Sequence, residues 1–156
     1  MENEVLATVE ASAGRRWIGI GALGLLGVLL VYVTFTQPAT LVWQAFLLSA
    51  GVLALWMADK MRRSTIWVIE LTATELRDSR GAVLARVEDM EAVDRGVFAF
   101  KPSNGFLISL KSPGKRAWLP GLWWRIGRRI GVGGLTPGAQ TRVMSERLAT
   151  LLTQRN

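Results

Sequence analysis

The chain has 156 residues, half of them hydrophobic, with a mean hydropathy of +0.27 and a formal net charge of +7. It contains neither cysteine nor histidine. That excludes disulfides, thiol chemistry, zinc or haem held by Cys or His, and the Ser-His-Asp and Cys-His forms of nucleophilic catalysis.

Residues 1–16 form a short N-terminal segment carrying Arg15 and Arg16 against three glutamates. Trp17–Thr36 follows without a charge. At about 1.5 Å per residue such a helix spans roughly 30 Å, the thickness of a hydrocarbon core. The hexapeptide GIGALG inside it, Gly19–Gly24, fits the dinucleotide-binding pattern. That fingerprint must close a strand, open a helix and be followed by an acidic residue on the ribose, and the next one here, Asp59, is far too late. The match is read as chance in a Gly-rich apolar run, and no cofactor is expected. A cleaved secretion signal is also set aside, because the run is too long and no small-residue cleavage site follows.

Gln37-Pro38-Ala39-Thr40 breaks the apolar stretch, and Leu41–Ala58 resumes it with only Gln44 and Ser49 as polar side chains. The expectation is a transmembrane hairpin over residues 17–58, its helices at 17–36 and 41–58. Arg15 and Arg16 precede it, Lys60, Arg62 and Arg63 follow it, and the connecting turn has no charge. By the positive-inside rule both termini are cytoplasmic, and Trp17, Trp43 and Trp56 fall near the interfaces. Gly21, Gly24 and Gly27 recur at i+3 and Ala50, Ala54 and Ala58 at i+4, faces that permit close helix approach. Their partner is either the other helix of the hairpin or a helix of a larger complex. No charged residue lies mid-span, which counts against a transporter.

Residues 59–156 hold 17 Lys/Arg against 9 Asp/Glu, so the expected cytoplasmic domain is basic and tethered beside an anionic leaflet. Its pattern is one of short apolar segments between turns. Ile66–Leu71 reads as a strand, and Leu76–Leu84 as strand, turn at Asp78-Ser-Arg-Gly81, strand. Val87–Val93 reads as a one-turn helix or bend. Gly96–Phe100 and Gly105–Leu110 flank a hairpin connection, and Lys115–Leu119 follows the turn Ser112-Pro-Gly114. Thr136-Pro137 is an N-cap and first-turn pair. Beyond it Met144, Leu148, Leu151 and Leu152 make the apolar stripe of a terminal helix. A curved antiparallel sheet capped by a C-terminal helix, an α+β domain, satisfies this order.

The hairpin, the segment TATELRDSRGAVLARVEDMEAV and the closing GRRIGVGGLTPGAQ together resemble the bacterial pleckstrin-homology-like (PH-like) membrane proteins, in which a two-helix hairpin precedes the domain. The resemblance covers roughly residues 17–153. It implies a PH-like fold in a bacterial cytoplasmic membrane protein, and binding or assembly rather than catalysis. The phosphoinositide-binding basic motif of eukaryotic relatives has no match here, so no headgroup specificity carries over.

Trp118–Gly134 concentrates Trp118, Trp123 and Trp124 with Arg125, Arg128 and Arg129 among five glycines. The glycines argue against a helix, leaving a loop that leads into a strand near Arg128–Val132. Trp and Arg suit a bilayer interface and equally the hot spots of a protein interface. A third reading puts Trp118 and Trp124 in the core and the arginines in solvent. Nucleic acid is disfavoured, since single-strand binding wants aromatics spread along a groove. Gly131-Val-Gly-Gly134 lacks the Lys-Ser/Thr of a phosphate-binding loop and reads as a bend. Ser112-Pro-Gly-Lys115 fits S-x-x-K but reads as a turn. Glu88, Asp89, Glu91 and Asp94 read as a solvated bend, not a metal site.

With no nucleophile–base pair placed by spacing, the expectation is a non-enzymatic accessory or assembly subunit of a larger membrane complex, without metal or cofactor. The alternative is an anchored module that binds anionic lipid headgroups through its Trp/Arg segment.

Overall fold

The computed structural model describes residues 4–96 and 101–155. They form two compact units: Ala13–Arg63, and a second built from the segments on either side of it.

The first unit is a pair of apolar helices, α1 (Ala13–Thr36) and α2 (Leu41–Ser64). Both are long and apolar enough to cross a membrane, at about 36 Å each. Each extends past the apolar run that announces it. α1 starts four residues early and takes in Arg15 and Arg16, and α2 continues six residues beyond Ala58. The extension of α2 is held by Asp59, which pairs with Arg62 and Arg63 at 2.8 Å each, the i,i+3 and i,i+4 spacing that supports a helix. Lys60 lies over the Trp56 ring at 4.9 Å and Arg16 over Trp17 at 5.5 Å. Thr34, Thr36 and Ser49 donate to carbonyls four residues back, which satisfies their hydroxyls inside apolar helices.

The helices pack closely against each other at Gly27 and Gly51. A Cβ on Gly27 would lie 2.6 Å from Leu55 Cγ, and one on Gly51 would lie 2.9 Å from Val31. Ala54 and Ala58 are buried on the same face. The expected contact row is therefore corrected: Gly51 takes the place given to Ala50, which is half-buried. A Cβ on Gly21 or Gly24 would meet nothing within 4 Å, so only Gly27 of the three serves the hairpin itself.

Among the described residues the second unit contains nine short strands. In chain order these are β1 (Ala7–Val9), β2 (Ile69–Leu71), β3 (Glu75–Asp78), β4 (Val83–Arg86), β5 (Met90–Asp94), β6 (Phe106–Leu110), β7 (Ala117–Leu119), β8 (Trp123–Ile126) and β9 (Arg129–Val132). They make two antiparallel sheets, ordered β1-β2-β3-β4 and β5-β6-β9-β8-β7, where one curved sheet was expected. A 3₁₀ turn at Val87–Asp89 carries the chain from the first sheet to the second. The terminal helix α3 (Gly138–Arg155) lays Met144, Leu148 and Leu152 onto the core. Val9, Ile69, Leu71, Leu76, Phe106, Ile108 and Ile130 fill that core from the two sheets. The strand expected over Gly96–Phe100 falls on residues 97–100, outside the described ones.

Three strands depart from the sequence reading. β5 runs over Met90–Asp94 and pairs with β6, where a one-turn helix or bend was expected over Val87–Val93; only Val87–Asp89 forms such a turn. β1 belongs to residues 1–16, expected to be a separate segment, yet Ala7 and Val9 are buried and pair with Leu71 and Ile69. The pair of apolar helices is thus inserted into the connection between two adjacent strands. β8 occupies Trp123–Ile126, expected to be loop.

Local chemistry fixes the connections. Asp78 is wholly buried, and its carboxylate accepts the backbone N–H of Arg80 and of Ala82 at 3.0 Å each, and the Arg80 guanidinium. That shapes the β3–β4 turn, and Arg80 then covers the Trp67 ring at 4.6 Å. Arg155, at the end of α3, donates to the carbonyls of Val87, Glu88 and Met90, tying the helix to the junction of the two sheets.

Candidate interaction surface

The register of the second sheet decides which Trp and Arg side chains face outward. Trp123 pairs with Val132 and Arg125 with Ile130, and Val132 and Ile130 are core residues. Side chains alternate along a strand, so Trp123 and Arg125 face inward while Trp124 and Ile126 face outward. Trp123 is 8% exposed. Arg125 reaches the other sheet, where Nη1 donates to Leu84 O at 3.0 Å. Its guanidinium also fills the space a side chain on Gly114 would need. Both residues were candidates for the interface, and both are structural.

The outward face carries two cross-strand rows. One runs Trp118–Trp124–Gly131–Leu107 and the other Ile126–Arg129–Ser109. The Trp124 indole lies across Gly131, so close that a Cβ there would collide with the ring. This glycine, read as part of a bend, is the floor under an aromatic. Trp118 is 41% and Ile126 53% exposed. Arg128, in the β8–β9 turn, and Arg129 are exposed, as is Arg116 just before β7. None of these three arginines forms an ion pair among the described residues.

The charge around this face is one-sided. Between Asp94 and Glu146 the sequence has no acidic residue and nine basic ones: Arg95, Lys101, Lys111, Lys115, Arg116, Arg125, Arg128, Arg129 and Arg142. The basic excess of the whole chain therefore lies between residues 95 and 145, with six of the nine basic residues on β6–β9 and their loops. The first sheet differs, because its outward Arg77 is paired with Glu70 at 3.1 Å and with Glu75 at 3.7 Å. The acid-free span was legible as a signal in the sequence, in the spacing of charges rather than in their total.

At one end of this sheet lie the points where the chain leaves for α1 and α2. Ser12 N–H donates to Leu135 O at 2.8 Å, and Leu135 N–H to Gly121 O at 3.0 Å. Ser64 Oγ donates to Pro120 O at 2.7 Å. Both exits are thus bonded to the β7–β8 turn or to the connector after β9. Gly133 in that connector has φ 143°, and a Cβ on it would lie 2.7 Å from the Gly105 Cα. Only glycine fits. Gly131-Val-Gly-Gly134 thus serves backbone packing.

The remaining candidates stay apart from this surface. Glu88, Asp89, Glu91 and Asp94 are exposed, and no group of three metal-ligating side chains occurs among the described residues. Ser112 and Lys115 lie in an exposed loop. A shallow cleft beside the start of α3 is lined by Arg95, Lys101, Thr141 and Arg142. Glu146 sits in it too, 3.1 Å from Arg142 and 3.7 Å from Arg95, and offsets their charge. No family model, no curated protein and no solved structure matches the chain.

Proposed function

We propose that the chain is a two-pass protein of the bacterial cytoplasmic membrane with both termini cytoplasmic. In this reading it acts as a non-enzymatic accessory or assembly subunit of a larger membrane complex. The β1–β2 pairing supports the topology. The strands flank the two apolar helices and pair with each other, so the chain must return to the side from which it left. Arg15 and Arg16 at one exit and Lys60, Arg62 and Arg63 at the other support that side being the cytoplasmic one. The paired sheets and the α3 cap support a PH-like domain.

The observation that carries the accessory role is where the unusual residues lie. They sit on outward faces of both units, Gly21 and Gly24 on α1 and Trp118 and Ile126 on the second sheet. An open glycine face in an apolar helix suits a neighbouring helix. The test is a pull-down of the C-terminally tagged protein from native membranes in mild detergent. A stoichiometric set of membrane subunits is the expected result, and recovery of the chain alone would overturn the accessory role. Lipid binding is favoured as a second reading by one observation, the acid-free cationic span of the second sheet.

A further inference from the structure

Three features of the second sheet point to one kind of surface. Its outward face exposes Trp118 and Ile126 beside Arg116, Arg128 and Arg129, which form no ion pair among the described residues, and no acidic residue interrupts β6–β9 or their loops. The chain's two exits, Ser12 and Ser64, are bonded at the end of this sheet where the β7–β8 turn lies. The opposite sheet has its outward charges internally paired. A tethered face meets the bilayer at high effective concentration. Indole rings settle at headgroup depth, and guanidiniums pair with phosphate oxygens bidentately.

We infer that the outward face of β7–β8–β9 docks on the anionic headgroups of the leaflet that anchors the hairpin. Trp118 and Ile126 enter the interface there, and Arg116, Arg128 and Arg129 engage the lipid phosphates. The inference rests on the membrane-anchored reading but not on the accessory role. Trp123 and Arg125 take no part, because both face the core.

The absence of cysteine allows a clean test on the full chain. Single variants Ile126→Cys, Val83→Cys and Leu25→Cys each carry an environment-sensitive fluorophore. The proteins are reconstituted in vesicles of phosphatidylcholine alone or with about one-third phosphatidylglycerol. The label at 126 should become apolar in character, and be reached by a lipid-borne quencher, in the anionic vesicles only. Adding Arg128→Gln and Arg129→Gln should lower the docked fraction relative to the free about tenfold at low salt. The label at Val83, on the outward side of the first sheet, should not respond. A response at 126 that is equal in both compositions, or matched at 83, overturns the inference. So does a response seen only in native membranes, which would assign the face to a protein partner. Leu25, on α1, should be lipid-quenched in both compositions. Failure at that position alone removes the membrane-anchored reading itself.

Discussion

Val9 and Ile69 face each other across the β1–β2 ladder, both fully buried, although both apolar helices lie between them in the chain. The folded unit therefore needs residues from both sides of the hairpin. A chain beginning at residue 59 lacks β1, exposes one edge of β2 and uncovers Ile69. It should lose about 3 kcal/mol relative to a chain in which 13–63 is replaced by a short Asn-Gly linker. Urea denaturation of the two soluble proteins checks this. Equal midpoints would mean that β1 contributes nothing.

Arg125 and Arg129 belong to neighbouring strands but point to opposite faces. Arg125→Ala removes the donor to Leu84 O and opens space beside Gly114, and should destabilise the domain by about 2 kcal/mol. Arg129→Ala should stay within about 0.5 kcal/mol of the parent. Thermal or chemical unfolding of the two variants separates them, and a reversed order would contradict the register.

Replacing Gly133 with alanine puts a Cβ against the Gly105 backbone at a φ that side chains rarely adopt. The expected cost is more than 2 kcal/mol, enough to lower yield and midpoint together. Gly127 is also at positive φ but has open space around it. Gly127→Ala should therefore cost only about 1 kcal/mol, which isolates the close approach from the backbone conformation.

Topology is tested by thiol access. A cysteine at Ala39, in the loop between α1 and α2, should react with a membrane-impermeant maleimide in intact cells or spheroplasts. A cysteine at Ser79, in the β3–β4 turn, should react only after lysis. Labelling of Ser79→Cys in intact spheroplasts would reverse the proposed orientation.

The elements that were legible in the sequence are those whose evidence is local. The Asp78–Gly81 turn sits between two short apolar runs, and the stripe of Met144, Leu148 and Leu152 repeats within one helix. β1 was not legible, because three residues, Ala-Thr-Val, carry no pattern and their partner lies beyond two helices. β8 was missed because Gly121 and Gly127, which bound it, were read together with Gly131, Gly133 and Gly134 as signs of loop. Missing β8 also hid the alternation that sends Trp123 and Arg125 inward and Trp124 and Ile126 outward. The Trp/Arg segment was thus recognised as unusual while its two faces were not separated. In the hairpin, of the six small residues expected to pack, Gly27, Ala54 and Ala58 are buried, while Gly21 and Gly24 have open space beside them and Ala50 is half-buried. Which small residues meet depends on helix rotation, and that brings in Gly51, which the expected row did not include.

The insertion of the helices between β1 and β2 also sets an order on biogenesis. In the proposed topology β1 emerges first during synthesis and stays unpaired until α1 and α2 have both been threaded and β2 has followed. A chain in which only one helix inserts leaves β1 and β2 in different compartments. Its first sheet then ends in an unpaired strand edge, the kind of exposed backbone that proteases and chaperones engage. In the proposed topology a three-residue strand thereby makes completion of the domain conditional on correct insertion of the hairpin.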